Sequence, residues 1–264
     1  LIFADRLIHA CMLDGARLSG AKLIRFKHND PTDLQHRLEQ HPANGRRRLI
    51  LTESLFSMDG DLAPLPEIAF LADNHNAMLM VDEAHAMGIF GPTGSGRIHE
   101  HNLQSATTLT MGTLSKALAG YGGYICGTAL LRQHLIQTSR SFIYTTAPPP
   151  AQLGTALGAL EILENEPDLG TRLLEKAAHF RKALQSHGLN TLQSASQIIP
   201  IVIGDNHQAM HIAASLKEQD ILVGAIRPPT VPEGTARLRI SLTLAHTDDD
   251  IDRATRAIIR AIPS

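Results

Sequence analysis

The chain has 264 residues, with 24 Lys+Arg against 26 Asp+Glu and a formal net charge of −2, so it lacks the basic excess of a nucleic-acid binder and no nucleic-acid partner is expected. Its 43% hydrophobic and 19% charged residues, with 20 Gly and 14 Pro scattered along the chain, exclude disorder, collagen and a disulfide scaffold. Cys11 and Cys126 lie far apart with no CxxC pair, which removes a zinc knuckle and fits a reducing, cytoplasmic setting, and both read as small packed residues. No apolar run reaches the roughly 18 residues that cross a bilayer, so no membrane partner is expected. The chain opens on Leu1 inside a strand pattern, and a further N-terminal part of the natural protein is expected.

After that opening strand, the first two thirds alternate short apolar runs with helical periods, the signature of βαβ units. Leu49–Thr52 and Met78–Val81 read as strands, joined by a helix with Pro66 in its first turn and Leu65, Ile68, Ala69 and Ala72 on one stripe. Thr107–Met111 and Tyr124–Cys126 read as two more strands of the same sheet, covered on both faces and mostly parallel. The pattern changes near Pro148-Pro149-Pro150, where long helical segments begin. The C-terminal part reads as a small α+β domain with strands at 198–203, 221–226 and 237–244 and a last helix capped by Thr247 and Asp250. In Arg237–Leu242 the strict alternation puts Arg237 and Arg239 on one face and Leu238, Ile240 and Leu242 on the other. The expected architecture is α/β with a mostly parallel sheet and helices on both faces, divided into a large domain over 1–167 and a small one over 168–264.

Val81-Asp82-Glu83-Ala84-His85 stands at the end of a buried strand, where open α/β sheets place ligands and where a carboxylate needs a cation. One reading is a DEAH-type nucleotide site, which requires a GK[ST] loop. No lysine here has Gly before it and Ser or Thr after it, and Gly91–Gly96 reads as a tight loop. The other reading pairs Asp82 with Lys116, which follows the next strand among Leu114, Ala117 and Leu118. With six lysines against eighteen arginines, a lysine in apolar company reads either as a desolvated, reactive neutral amine or as a surface lysine, and it is the pairing with Asp82 that favours the first. Pyridoxal phosphate needs this pair: a lysine for its aldehyde and a carboxylate for its ring nitrogen. His99 and His101 lack further ligands, Asp59-Gly60-Asp61 reads as a turn, and no metal is expected.

The stretches DRLIHA (5–10), ESLFSMDGDLAPLPEI (53–68), MVDEAHAMGIFGPTGSGR (80–97), TMGTLSKALAGYGGYICG (110–127), YTTAPPPA (144–151) and AIRPPTVPEGTARLRISLTLAHT (225–247) resemble the α-oxoamine synthases, fold-type-I pyridoxal-phosphate enzymes, in order along the chain. The resemblance implies a cytoplasmic homodimer that condenses an amino acid with an acyl thioester and releases CO2. It also implies Lys116 as the cofactor-bonded lysine and the base for the Cα proton, Asp82 on the ring nitrogen, His85 near the ring hydroxyl and His9 stacked on the ring. Ser57 and Thr113 match cofactor-contacting hydroxyls, Thr230 a substrate contact, and Arg239 the residue that grips the amino-acid carboxylate. Thr145 and Thr146 match residues that reach a partner subunit's cofactor phosphate. The segment IRPPTVPEGTARLR is most similar to the members that join L-alanine to a pimeloyl thioester, of CoA or an acyl carrier protein, in biotin biosynthesis. Another member, such as a glycine C-acetyltransferase, is the alternative.

Overall fold

The structure, a computed structural model, describes residues 1–105 and 108–262. The chain forms two compact units, one of residues 1–55 with 63–170 and one of residues 56–62 with 171–264. The second unit therefore includes a short segment from the middle of the first, which no local pattern announces.

The first unit is built on a six-stranded sheet. Its strands are β1 (Ile2–Asp5), β2 (Leu23–Phe26), β3 (Leu49–Glu53), β4 (Met78–Asp82), β5 (Thr108–Thr113) and β6 (Gly123–Cys126), in spatial order β2-β1-β3-β4-β5-β6. The first five pair in parallel, as the β-strand and helix alternation requires, with α1 (Ala10–Leu18), α2 (Pro31–Gln40), α3 (Leu65–Asn74) and α4 (Arg97–Glu100) between them. Thr107, expected to open β5, lies outside the described residues.

β6 departs from expectation. It runs antiparallel to β5 at the sheet edge, and three of its four residues are exposed. Only residues 114–122 join the two strands, too few for the helical crossover that a parallel neighbour demands. Beyond it, α5 (Ala129–Thr138) and α6 (Arg140–Ile143) bury no side chain within this chain, whereas α7 (Pro150–Asn165) buries Ala156 and Leu163.

The core explains the placement of the β1–α1 turn. Met12 and Ala16, one helical turn apart on α1, pack on Ile2, Ala4 and Leu51 of β1 and β3 in a single cluster. The helix is thus pinned with its N-terminus at the C-terminal ends of the parallel strands, the side on which α/β sheets bind ligands.

The second unit carries α8 (Leu169–Ser186), β7 (Ile198–Gly204), α9 (Asn206–Lys217), β8 (Gly224–Ile226), β9 (Ala236–Ser241) and α10 (Asp248–Ala261), with its three strands antiparallel in order β7-β9-β8. The expected strand over 221–226 shrinks to 224–226. The capping box of α10 is present: Thr247 accepts from the Asp250 N–H and Asp250 accepts from the Thr247 N–H. Leu238 and Ile240 are buried on β9 as the alternation predicts. Segment 56–62 is tied in by Ser196 Oγ and the Ala195 N–H, both donating to the Gly60 carbonyl at 2.8 and 3.0 Å.

Candidate active site

A cavity of about 430 Å³ opens in the first unit, lined among others by His9, Cys11, Asp82, Thr113, Ser115 and Lys116. The volume falls in the roughly 300–1,000 Å³ range of small-molecule and cofactor sites. Three chain segments distant in sequence deliver these side chains, each from the C-terminal end of a parallel strand.

Asp82 ends β4 and is 6% exposed. Its Oδ1 accepts the Ala84 N–H at 2.8 Å, which sets the turn after the strand. Burial raises its affinity for a proton, and the Ala84 N–H, the Lys116 ammonium and His9 work against that shift. A desolvated carboxylate in this state favours a cationic partner. Glu83, its neighbour in the same motif, does a different job: its carboxylate accepts the N–H groups of Arg97 and Ile98 and the Ser54 hydroxyl. It pins the Gly91–Gly96 loop, whose Gly96 leaves no room for a Cβ beside Glu83. That carboxylate is occupied by the fold and the glycine stretch is a closed turn, which removes the DEAH-type reading.

Lys116 sits on the loop between β5 and β6. The Leu114 N–H donates to Gly122 O at 2.9 Å, the Ala119 N–H to Lys116 O at 3.0 Å and the Thr113 hydroxyl to Gly122 O at 3.0 Å, so the loop closes on itself. Gly122 holds φ +118°, a value only glycine adopts without strain. Leu118 anchors the loop, 2% exposed, against Ala156 and Leu163 of α7. Gly88 permits this closure, because a Cβ there would collide with Ala117. The expectation that Lys116 is desolvated is corrected: within this chain its side chain is exposed. The apolar neighbours that suggested burial, above all Leu118, turn toward α7 and leave the lysine on the cavity side.

His9 is the N-cap of α1. Its Nδ1 accepts the Cys11 N–H at 3.3 Å and lies 3.0 Å from Cys11 Sγ, which orients the ring at the cavity wall. Asp5, fully buried at the end of β1, fixes the turn that carries it by accepting the N–H groups of Leu7 and Asn29 at 2.8 Å each. The packed role expected for the cysteines is also corrected: Cys11 and Cys126 are both exposed, and Cys11 lines the cavity. Burial and Asp82 raise the Cys11 thiol above its usual range.

Of the remaining sequence candidates in the first unit, Thr113 lines the cavity and shares its hydroxyl with Ser115 at 2.7 Å. His85 stands half-buried on the turn after β4 and is not one of the cavity-lining residues. Ser57, Thr230 and Arg239 belong to the second unit. There Arg239 Nε donates to the Ser57 carbonyl, and Arg237 forms a buried ion pair with Asp59. Both arginines thus reach the same 56–62 segment, as the alternation of β9 requires. Thr230 is exposed, with its N–H on Arg227 O.

Sequence reasoning passed over Glu53, Ser115 and the thiol of Cys11. Glu53 carries a signal of the same kind as Asp82, an acid closing an apolar strand run.

The donor set fits pyridoxal phosphate: a lysine amine, a buried carboxylate that favours a cation, an imidazole at the wall and two hydroxyls around one cavity. Comparison with known proteins agrees. The family described as aminotransferase class I and II matches residues 1–258. The chain belongs to this family. The 8-amino-7-oxononanoate synthase of Alkalilimnicola ehrlichii is 45% identical over 258 residues, covering 97% of this chain and 66% of that protein. A serine palmitoyltransferase from S. paucimobilis, solved with bound PLP-myriocin, superposes with a TM-score of 0.93 at 31% identity, covering 98% of this chain and 66% of that one. An 8-amino-7-oxononanoate synthase from Francisella tularensis superposes with a TM-score of 0.82 at 34% identity, covering 98% of this chain and 74% of that one. The chain thus spans about two thirds of the length of such relatives, and the resemblance and the α/β fold read from the motifs are borne out. No helix among the described residues is long and apolar enough to cross a membrane.

Proposed function

We propose that the chain carries the catalytic part of an 8-amino-7-oxononanoate synthase, a pyridoxal-phosphate enzyme that joins L-alanine to a pimeloyl thioester of CoA or acyl carrier protein and releases CO2 and free thiol. The observation that carries this reading is the convergence of Lys116, Asp82 and His9 on one cavity, in a chain 45% identical to a relative of that name.

When bound, the cofactor supplies an electron sink for a carbanion at the amino-acid Cα. Lys116 would hold the cofactor through its amine, and the same Nζ would take the Cα proton of the substrate. Its exposure on the cavity side suits both tasks, since both require the amine to reach into the cavity. Asp82 would hold a proton on the ring nitrogen, for which its burial and negative charge are suited. His9, held by Cys11 and the α1 cap, would stack on the ring. Thr113 would contact the cofactor from the cavity wall, while Ser57 and His85 are cofactor contacts by the resemblance alone. By the resemblance alone, Arg239 is the residue for the substrate carboxylate and Thr230 a substrate contact; both lie in the second unit. Arg239 Nε is engaged by Ser57 O, so its two terminal nitrogens are the pair a carboxylate would bridge.

The enzyme is read as a cytoplasmic homodimer. Leu130, Phe142 and Tyr144, 77%, 60% and 73% accessible, are large apolar side chains of the kind that a second copy covers. Thiol release is measured with L-alanine, glycine and L-serine, each against pimeloyl, acetyl and palmitoyl thioesters. The reading predicts the highest kcat/KM for L-alanine with a pimeloyl thioester. A preference for glycine with acetyl-CoA, or serine with palmitoyl-CoA, would assign the chain to another α-oxoamine synthase.

A further inference from the structure

We propose that Glu53 is a positioning residue of this site, joining Asp82 on the neighbouring strand to the His9 turn through one buried carboxyl group. The inference rests on the reading of Asp82 and His9 as cofactor contacts.

Glu53 closes β3 and is paired in register with Asp82 on β4. Paired residues of adjacent parallel strands put their side chains on the same face, about 5 Å apart at the backbone. Both are sequestered, Glu53 at 3% and Asp82 at 6% exposure. The His9 backbone N–H is directed at the Glu53 carboxyl group, while Oε1 has no hydrogen-bond partner. An ionised carboxylate with an oxygen left bare in a dry interior is costly, and two such charges side by side more so.

The titratable and charged groups that face Glu53 are Asp82 from β4, Asp5 from β1, Cys11 from α1 and Lys116 from the loop after β5. Burial first, and Asp82 next, push its carboxyl up to about 8. Asp82 has the Ala84 N–H, Lys116 and His9 in its favour, so it holds the charge and Glu53 the proton. In that state Glu53 accepts the His9 N–H and adds no second charge beside Asp82. The position that stacks His9 and the carboxylate that meets the ring nitrogen are thereby fixed by a common neighbour.

A protonated glutamate and a glutamine offer the same shape, one acceptor oxygen and one donor, whereas leucine fills the space and accepts nothing. The test compares wild type, Glu53→Gln and Glu53→Leu by three readouts: pyridoxal-phosphate affinity at neutral pH, urea denaturation without cofactor, and the infrared absorption of protonated carboxyl groups as pH is raised. Glu53→Gln is expected to bind within about threefold of wild type, and Glu53→Leu about tenfold or more weakly because the His9 N–H loses its acceptor. Glu53→Leu is expected to resist urea at least as well as wild type, a split that a purely structural residue would not show. The infrared signal is expected to titrate near pH 8 in wild type and to be missing from Glu53→Gln. The proposal is overturned if glutamine binds as poorly as leucine, if leucine binds as well as wild type, or if no such signal is lost in Glu53→Gln. If Glu53→Leu does not fold, the infrared titration and the glutamine affinity decide. A wild-type chain with the infrared signal but no cofactor uptake would count against the cofactor reading and leave the Glu53 and Asp82 pair standing.

Discussion

Lys116 and Asp82 face one cavity from the ends of neighbouring strands, and the Lys116 ammonium favours the charged form of a carboxylate that burial drives toward neutrality. Neither residue reaches this position through its own local preference. Asp82 is delivered by the parallel register of β4 between β3 and β5, and Lys116 by a loop that Leu118 anchors to α7.

Asp82→Asn removes the charge and keeps the shape. A hydrogen bond to a charged partner contributes about 1.5–3 kcal/mol, so cofactor affinity should fall roughly 10- to 100-fold. Titration with pyridoxal phosphate measures this, and an unchanged dissociation constant would remove Asp82 from the ring nitrogen.

Glu53 makes stability depend on pH. Its carboxyl titrates near 4.5 in the unfolded chain and about 8 in the folded one, so between those values the folded state binds more protons. Stability is therefore fully present below about pH 4.5 as far as this group is concerned, and is lost as pH rises toward 8 at up to about 1.4 kcal/mol per unit. Glu53→Gln cannot ionise, so its urea midpoint should pull ahead of wild type across that window. Parallel pH profiles for the two proteins would contradict the assignment.

The Arg237 and Asp59 pair holds segment 56–62 to the second unit, with Arg237 5% and Asp59 20% exposed at the side chain. Asp59→Ala leaves a buried guanidinium without its partner and should cost about 3 kcal/mol by urea denaturation. Replacing both residues, Arg237→Met with Asp59→Leu, should restore most of the loss. A double variant no better than Asp59→Ala would show that the pair does more than neutralise itself.

Gly60 holds φ +69°, and a Cβ there would overlap the Ile198 carbonyl. Gly60→Ala should thus destabilise by more than the ~1–2 kcal/mol of a left-handed backbone alone. A smaller change would mean that the 56–62 turn shifts without loss.

The parallel strands β3, β4 and β5 were legible because a buried strand writes itself as a continuous apolar run, and the residues that follow such runs are the ones that reach the ligand side. Asp82 and Lys116 were found on that basis, His9 and Thr113 through the resemblance, and the four meet at the cavity wall. What escaped depends on partners far away in the chain. Residues 56–62 look like part of the first unit until Arg237, Arg239 and Ser196, some 140 to 180 positions later, bind them. The exposure of Lys116 depends on which way Leu118 turns, and the direction of β6 on the nine residues before it. Glu53 was readable by the rule that singled out Asp82, but its role emerges only from the register that sets the two acids side by side.

The central claim, that Lys116 is the residue bonded to pyridoxal phosphate, is tested by loading the chain with the cofactor, reducing with borohydride and mapping the modified peptide. The account predicts a single stable adduct on Lys116, absent from Lys116→Ala. An adduct on another lysine, or the same labelling in Lys116→Ala, would contradict it.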